Sequence, residues 1–244
     1  SDLNKACEWS KSWLLEFNLM KCLVMHFGSN NMPHILQMAS RDLGSTSSER
    51  DLGVVFSSDL KWKQQVIVCA AKANSILGLI RNSFVNFDSK IVKLLYTVYV
   101  RPLIEFAVPV WNSLLKGDID VLERIQHRVT RMVPRLRKMP YNDRLKYLDL
   151  STLKERRTRG DLIQVFKIIH GIEKVELCKM PKFNSDLTSR GHSKRYFREL
   201  CKYTPHQNFL INRIANEWNK LPEDIVDSKS VNEFKEKLDK FTNE

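Results

Sequence analysis

The sequence predicts an α+β protein that is mostly α-helical, in which a small β-containing region precedes a long helical one. Glycine and proline are sparse, at 8 each among 244 residues, so long regular elements are expected. The hydrophobic pattern also changes near residue 62, from short apolar runs to apolar side chains that recur every three or four positions. The hydrophobic content of 43% argues against disorder and suffices for a buried core.

The first predicted region, residues 1–61, combines one helix with short strands. Leu3 to Leu15 has apolar side chains at helical spacing. Leu23 to Phe27 is a short apolar run that ends at a Gly-Ser-Asn-Asn turn, which predicts a strand. His34 to Met38 is placed to pair with that strand across the turn, and Asp51 to Phe56 predicts a further strand.

The second predicted region, residues 62–175, is a helical bundle. Pro102 is expected to stop or kink one of its helices because proline has no backbone N–H. Ser151 is expected to cap the amino terminus of the last helix. The predicted helices run from about Trp62 to Ile80, Ile91 to Tyr99, Leu103 to Trp111, Asp118 to Val133, Asn142 to Leu148 and Leu153 to His170.

The third predicted region, residues 176–244, consists of a linker and a helical unit. Leu177 to Lys194 has mixed polarity with scattered proline, glycine and asparagine, which predicts a loop. Two helices are predicted to follow, Asn208 to Trp218 and Ser230 to Phe241, with a break at Leu221-Pro222.

The net charge favours a polyanionic partner. Lys and Arg number 40 against 28 Asp and Glu, which gives a formal charge of +12. Nucleic acid is the expected partner, because each phosphate that a cation neutralises releases condensed counterions. Solvated surface lysines and a membrane surface remain alternative explanations of the charge.

The remaining bulk features favour an intracellular protein, in the nucleus, the cytoplasm or both. No apolar run approaches the ~18 residues that span a bilayer, so no membrane contact is expected. The five cysteines form no Cys-x-x-Cys pair, which is typical of reduced thiols. The sequence opens inside a predicted helix without an initiator methionine or a signal-peptide pattern, so we expect a piece of a longer protein.

Basic residues form two clusters on the predicted helices. Guanidinium groups suit phosphate oxygens, so both clusters are candidate nucleic-acid contacts, although a solvated helix face gives the same pattern. The first cluster contains Arg124, Arg128, Arg131 and Arg135, extended by Arg137, Lys138 and Arg144. The second contains Lys154, Arg156, Arg157 and Arg159.

No complete catalytic centre is evident. Asp118 and Asp120 stand at a predicted helix start, where the helix dipole alone accounts for carboxylates. The sequence has no glycine-rich phosphate loop and no nucleophile elbow. No metal site, resident cofactor or small-molecule substrate is therefore predicted.

An ordered series of motifs resembles one family, the reverse transcriptases of non-LTR (LINE) retrotransposons of the jockey and chicken-repeat kind. Each motif is weak alone, but the order spans essentially the whole chain. The motifs include Trp9-Ser10, Phe17-Asn18, Lys21-Cys22, Leu52-Gly53-Val54, Lys72-Ala73-Asn74, Leu77-Gly78, Arg101-Pro102-Leu103, Arg156-Arg157, Arg159-Gly160-Asp161, Asn212-Arg213, Trp218-Asn219 and Leu221-Pro222.

The resemblance implies the end of a polymerase palm (residues 1–61), a thumb that holds the template–primer duplex (residues 62–175) and a tail (residues 176–244). It implies that Lys21 matches a lysine proposed to protonate the departing pyrophosphate or to steady the triphosphate. It also implies that Leu52, Gly53 and Val54 form a hairpin that presses on the primer end.

The same resemblance places the Tyr-x-Asp-Asp turn, with its two Mg²⁺ ions, in a part of the polymerase that this sequence does not contain. We therefore expect a C-terminal, catalytically inactive part of an RNA-directed DNA polymerase. Its expected partners are an RNA–DNA or DNA duplex, bound through phosphates, and the upstream palm and fingers. The alternatives are a helical protein-interaction or structural module, including an inactive transposon relic, and a sequence-specific DNA-binding domain.

Overall fold

The computed structural model describes residues 2–28, 34–175, 192–197 and 200–243. It divides into two compact units, Ser1–Gln65 and Val66–Glu244. The predicted mostly helical α+β fold is confirmed, since helices predominate and the strands are few and short. The predicted boundary at residue 61 lies near the division between the units. The second predicted boundary, at residue 175, has no counterpart there, because helices beyond it pack against one before it.

The first unit contains one regular helix and short strands paired two by two. The predicted pairing of His34–Met38 with Leu23–Phe27 is wrong. The strand at Leu23 instead pairs in parallel with the segment that begins at Gly44. The elements are α1 (Asp2–Ser12), β1 (Leu23–Met25), β2 (Gln37–Met38), β3 (Arg41–Asp42), β4 (Gly44–Thr46), β5 (Ser48–Asp51) and β6 (Val54–Ser57), paired β1–β4, β2–β3 and β5–β6.

Strands β5 and β6 form an antiparallel hairpin in which Asp51 is paired with Val54. The two residues between them, Leu52 and Gly53, both have positive φ, at 44° and 89°. A two-residue loop with that backbone matches the right-handed twist of the strands. Gln65 stabilises the hairpin, because its Oε1 accepts a hydrogen bond of 2.8 Å from the Val55 N–H.

The second unit consists of helices. The predicted helices of residues 62–175 are confirmed with ends that shift by a few residues, except that the predicted helix Leu103–Trp111 is wrong as a single helix, because it is interrupted at Ala107. The helices are α2 (Lys63–Ser83, which begins in the first unit), α3 (Ser89–Leu95), α4 (Arg101–Glu105), α5 (Val108–Trp111), α6 (Lys116–Thr130), α7 (Tyr141–Leu148), α8 (Leu153–Ile169), α9 (Thr204–Asn208), α10 (Leu210–Asn219), α11 (Glu223–Val226) and α12 (Val231–Asn243).

The chain between α3 and α4 remains helical but widens into a π-helical turn, Tyr96–Val100. Pro102 explains this turn, because its ring would clash with the carbonyl group of Val98 in a regular α-helix. The helix distortion predicted at Pro102 therefore occurs one turn earlier in the chain, at Tyr96–Val100. A complete break follows at Ala107, which has a φ of 51°.

A reciprocal side-chain cap fixes the start of α8. The amino terminus of α8 is capped by Thr152 instead of the predicted Ser151. The Thr152 hydroxyl accepts from the Glu155 N–H at 3.2 Å, and the Glu155 carboxylate accepts from the Thr152 N–H at 2.9 Å. This reciprocal pair satisfies two amide groups that would otherwise lack partners at the helix start.

The C-terminal helices pack against α8 around a continuous apolar core. Phe166 and Phe234 stack with ring centroids 4.3 Å apart, and the fully buried Trp218 lies 6.2 Å from Phe234. The Trp218 indole N–H donates to the Lys194 carbonyl at 2.9 Å. The predicted loop Leu177–Lys194 lies almost entirely outside the described residues. In the part of the chain that the structure describes, no helix is both long and apolar enough to cross a membrane.

Candidate nucleic-acid interface

The first arginine cluster lies on one surface at the carboxyl end of α6 and in the segment leading to α7. Leu122, Ile125 and Val129 form the buried side of α6. The arginines of α6 lie on its other side and face solvent. We call this surface the basic face. It consists of the exposed side chains of Arg124, Arg128, Arg131, Arg135, Arg137 and Lys138.

The cations of the basic face lack carboxylate partners. In the described ranges, no Asp or Glu oxygen lies within 4 Å of their charged groups. Their contacts are to neutral oxygens: Arg124 Nε donates to the Asp120 carbonyl at 3.1 Å, and Arg137 Nε donates to the Arg131 carbonyl at 3.3 Å. The helix dipole favours cations at this end of α6, but it supplies only about half a negative charge. A net positive charge therefore remains open to solvent.

Arg144 supports the basic face from within. Sequence placed it in the surface cluster, but it is only 2% exposed. Its guanidinium donates to the Thr130 hydroxyl at 2.8 Å and to the His127 carbonyl at 3.1 Å. Its Nε is buried without a hydrogen-bond partner. Burial and the nearby Arg131 lower the pKa of Arg144, as expected for a buried cation without a carboxylate beside it.

His127 lies between these cations. Its ring stacks on Tyr141, with centroids 3.5 Å apart, and its Nδ1 lies 3.3 Å from Arg144 Nη2. Nδ1 must accept this hydrogen bond, so the neutral ring carries its proton on Nε2. Burial, followed by Arg144 and Arg131, lowers the pKa of His127. Burial first, and the neighbouring cations second, therefore disfavour a further proton on this ring.

The second cluster has a different environment. Arg156 forms a two-pronged ion pair with Glu105, at 2.5 and 2.9 Å. Arg159 does the same with Asp239 of α12, at 2.5 and 2.8 Å. The pKa of Arg156 is raised by its bond to Glu105, and the pKa of Asp239 is lowered by its bond to Arg159. Lys154 is the one member of this cluster whose side chain is exposed.

Arg157 lies inside the protein, which does not suit the phosphate contact that the sequence predicted for it. It is 5% exposed, and its guanidinium lies 4.3 Å above the Trp111 ring. It donates to the Ile104 carbonyl at 3.0 Å and to Asn112 Oδ1 at 3.2 Å. Burial lowers its pKa to about 10. Its hydrogen bonds go to the α4–α5 segment, so it stabilises the packing of α8 there.

Asp161 continues this buried network. Its two oxygens accept from Arg213 of α10 at 2.8 and 2.7 Å, and both side chains are 1% exposed. The Asn112 amide also donates to Asp161, at 2.8 Å. Arg157, Asp161, Arg213 and Trp218 all belong to the motifs that carry the family resemblance. These four residues therefore belong to contacts that pack α8 against the α4–α5 segment and the C-terminal helices.

Of the predicted polymerase residues of the first unit, Lys21 and Leu52 are exposed, whereas Gly53 is half-buried and Val54 is buried, which does not suit the primer contact that the resemblance implies for Val54. Lys21 lies in a turn directly before β1, and its backbone N–H donates to the Asn18 carbonyl at 2.9 Å. Leu52 is 89% exposed at the tip of the β5–β6 hairpin. A positive φ costs a residue with a side chain about 1–2 kcal/mol, so a strained apolar residue projects from this tip.

Residues of α2 that sequence analysis did not single out as a site lie beside the basic face. Arg128 Nη1 donates to Asn74 Oδ1 at 2.8 Å, and Arg81 lines the same cleft. The available signal was the spacing of Asn74, Gly78 and Arg81, which recur at four and three positions along α2. No cluster of three or more His, Cys, Asp or Glu side chains suited to a metal ion occurs among the described residues.

Comparisons of the chain with protein-family models, with curated proteins and with solved structures gave no match.

Proposed function

We propose that this chain is the palm end and thumb of an RNA-directed DNA polymerase of the non-LTR retrotransposon type, and that its basic face binds the backbone of the template–primer duplex. The observation that carries the proposal is the group of exposed cations on the basic face that lack carboxylate partners. Phosphates would neutralise them without competing with an existing ion pair. An RNA–DNA hybrid would be held by its shape and its phosphates, without sequence preference.

The first unit supports the same proposal. The strained Leu52 tip suits a hairpin that presses on a primer end, and Lys21 stands exposed where the family carries its pyrophosphate-contacting lysine. The sequence contains no Tyr-x-Asp-Asp turn to hold two Mg²⁺ ions. With primer–template, nucleotides and Mg²⁺ supplied, the chain should therefore not extend the primer. Any extension above a no-protein control would refute the assignment of catalysis to another segment.

Duplex binding is the direct test of the basic face. We expect the chain to bind an RNA–DNA hybrid with an affinity that falls steeply between about 50 and 200 mM salt. The double variant Arg128→Glu/Arg131→Glu should weaken binding about tenfold or more and reduce the salt slope by about 2. The matched control is Lys202→Glu/Lys240→Glu, which makes the same charge change at exposed positions outside the basic face.

Fluorescence anisotropy with a labelled hybrid and an excess of random duplex measures these affinities. Equal losses in the two double variants would mean that overall charge, not the basic face, governs binding. One short DNA site that outcompetes random duplex would favour a sequence-specific DNA-binding domain instead.

A protein-interaction module is the second candidate, and one observation favours it. The first unit exposes large apolar side chains on and after α1, namely Trp9, Trp13, Leu14 and Leu15. Contiguous exposed apolar residues mark protein interfaces, which for a polymerase would be the upstream palm and fingers. Duplex affinity that survives reversal of Arg128 and Arg131 unchanged would favour this candidate over nucleic-acid binding.

A further inference from the structure

A cleft of about 150 Å³ separates α2 from α6 beside the basic face. Its walls combine cationic and apolar groups with an exposed stretch of helix backbone. They consist of Asn74, Leu77, Gly78, Arg81, Arg128 and Met132.

The two arginines of the cleft are held without a counterion. Arg128 is fixed by its 2.8 Å hydrogen bond to Asn74 Oδ1, a neutral acceptor. Neither Arg81 nor Arg128 has a carboxylate within 4 Å in the part of the chain that the structure describes. Like charges that line one cleft repel each other, and an anion between them removes that repulsion. The fixed guanidinium of Arg128 loses little further freedom when it binds a phosphate.

Gly78 has no reason within the protein to be glycine. It lies inside α2, where glycine is less favourable than alanine because it loses more backbone freedom on folding. Its φ is not among the positive values of the described residues, so the backbone conformation does not require it. A Cβ atom built on Gly78 meets nothing within 4 Å, so internal packing does not require it either. Close approach by an external group is the remaining physical reason for glycine here.

A Cβ atom built on Gly160 of α8 also meets nothing within 4 Å, so free space around a helical glycine does not by itself indicate a binding site. At Gly78 the opening coincides with a cleft, two cations without counterions and a fixed arginine. The apolar part of the cleft, Leu77 and Met132, has no hydrogen-bonding group to offer a base edge. The cleft therefore suits a ligand with one negative charge and a compact, largely apolar ring beside it.

We propose that this cleft holds the sugar–phosphate backbone of one strand of the bound duplex, with a phosphate between Arg81 and Arg128 and the adjoining sugar against Leu77, Gly78 and Met132. This inference rests on the proposed function and places one strand on α2 as well as on α6. Contacts to sugar and phosphate alone give no sequence preference.

Substitutions at Gly78 separate binding from folding because the two effects have opposite signs. Gly78→Ala should raise the melting temperature by about 2–4 °C, because alanine favours the helix. The same substitution should weaken hybrid binding about threefold, and Gly78→Leu should weaken it more than about tenfold, by filling the cleft. Gly160→Ala is the matched control, since it should raise the melting temperature and leave the affinity unchanged.

Arg81→Gln tests the phosphate contact itself. It should reduce the slope of log affinity against log salt by about 0.9 and should leave the melting temperature unchanged, because Arg81 is exposed.

The outcomes distinguish the cleft from the proposed function. If the unmodified chain binds the hybrid and Gly78→Leu binds it equally well, the cleft is not a strand site, whereas the proposed function stands. If the unmodified chain binds neither hybrid nor DNA duplex, both fail. If Gly78→Ala and Gly160→Ala weaken binding alike, the effect arises from helix stiffening and the cleft proposal is overturned.

Discussion

The basic face and helix α8 both carry runs of arginine, but different groups surround their guanidiniums. On the basic face, Arg128 and Arg131 meet neutral oxygens or solvent. On α8, Arg156 and Arg159 meet carboxylates from α4 and α12, and Arg157 is buried above Trp111. An arginine that already has a carboxylate must give it up before it can bind a phosphate. The comparison therefore shows that the guanidiniums of the basic face are available to an anionic ligand, whereas those of α8 are engaged in packing the helices.

The two arginine environments also differ in how they affect the stability of the folded chain. A buried ion pair such as Asp161–Arg213 is sensitive to the loss of one partner, because the other charge is then left uncompensated away from water. Exposed arginines of the basic face have no such dependent partner. Their mutual repulsion, and that of the buried Arg144, slightly destabilises the folded chain, and a bound polyanion would remove this repulsion.

The largest expected effect is on stability, at the buried ion pair. Arg213→Met should lower the free energy of unfolding by about 3–5 kcal/mol, because the buried Asp161 loses both hydrogen bonds of its ion pair and, among the described residues, keeps the hydrogen bond from the Asn112 amide. Arg131→Gln on the basic face should change it by less than about 0.5 kcal/mol. Urea-induced unfolding followed by circular dichroism measures both values.

The double variant Arg213→Met/Asp161→Asn sharpens this prediction. Removing the stranded carboxylate charge should restore part of the lost stability. Similar losses for Arg213→Met and Arg131→Gln would show that the two regions do not differ in the way proposed.

A smaller effect is expected at the half-buried ion pairs of α8. Arg156→Gln and Arg159→Gln should each lower the free energy of unfolding by about 1 kcal/mol or less, because partly exposed pairs are screened by solvent. Hybrid affinity should stay within about twofold of the unmodified chain, since these side chains are engaged by Glu105 and Asp239. A loss of affinity that matches the one in Arg128→Glu/Arg131→Glu would place α8 in the interface after all.

The Arg159–Asp239 pair also has a defined pH dependence. Its bond to Arg159 holds the pKa of Asp239 below the ordinary value near 3.9. The contribution of the pair is therefore complete above that ordinary pKa and is lost as the pH falls through the lowered one. Acid titration of the Arg159→Gln variant should accordingly show a weaker loss of stability below about pH 4.

Local sequence patterns were sufficient for the parts of the fold that depend on neighbours in the chain. The three- and four-residue recurrence of apolar side chains located α2 and α6, and Pro102 located the distortion after α3. The arginine spacing in α6 located the basic face, because both its apolar and its charged side belong to one helix.

Contacts between distant residues were not accessible in this way. Glu105 and Asp239 stand 51 and 80 positions from their arginines, so the sequence of α8 alone gave no sign that its cations are paired. The parallel pairing of β1 with β4 was missed for the same reason, since a short apolar strand does not specify its partner. Thr152 and Ser151 are both good caps, but only Thr152 has a glutamate three residues later, so this capping-box spacing was present in the sequence and was missed. The roles of Lys21 and of Leu52, Gly53 and Val54 remain predictions from the resemblance.

The smallest expected effect concerns the protonation of His127. This ring lies next to the cations of the basic face, so its pKa is sensitive to their charge. In the free chain, burial and the positive charges of Arg144 and Arg131 hold its pKa below the ordinary value. Phosphates bound at Arg128 and Arg131 would offset those charges and raise the pKa of His127. Binding then takes up a proton, so hybrid affinity should increase as the pH falls through the interval between the free and the bound pKa values.

His170 provides the internal control for this measurement. Burial and Lys194 likewise lower its pKa, but its ring bonds the Val226 carbonyl and stacks on Phe166, within the core formed by α8 and the C-terminal helices. Nuclear magnetic resonance titration of both imidazole rings, with and without hybrid, should show an upward pKa change at His127 and none at His170. Equal changes at the two rings would mean that the bound polyanion acts on the whole unit through its net charge. That result would remove the distinction between the basic face and α8 on which the proposed mode of binding depends.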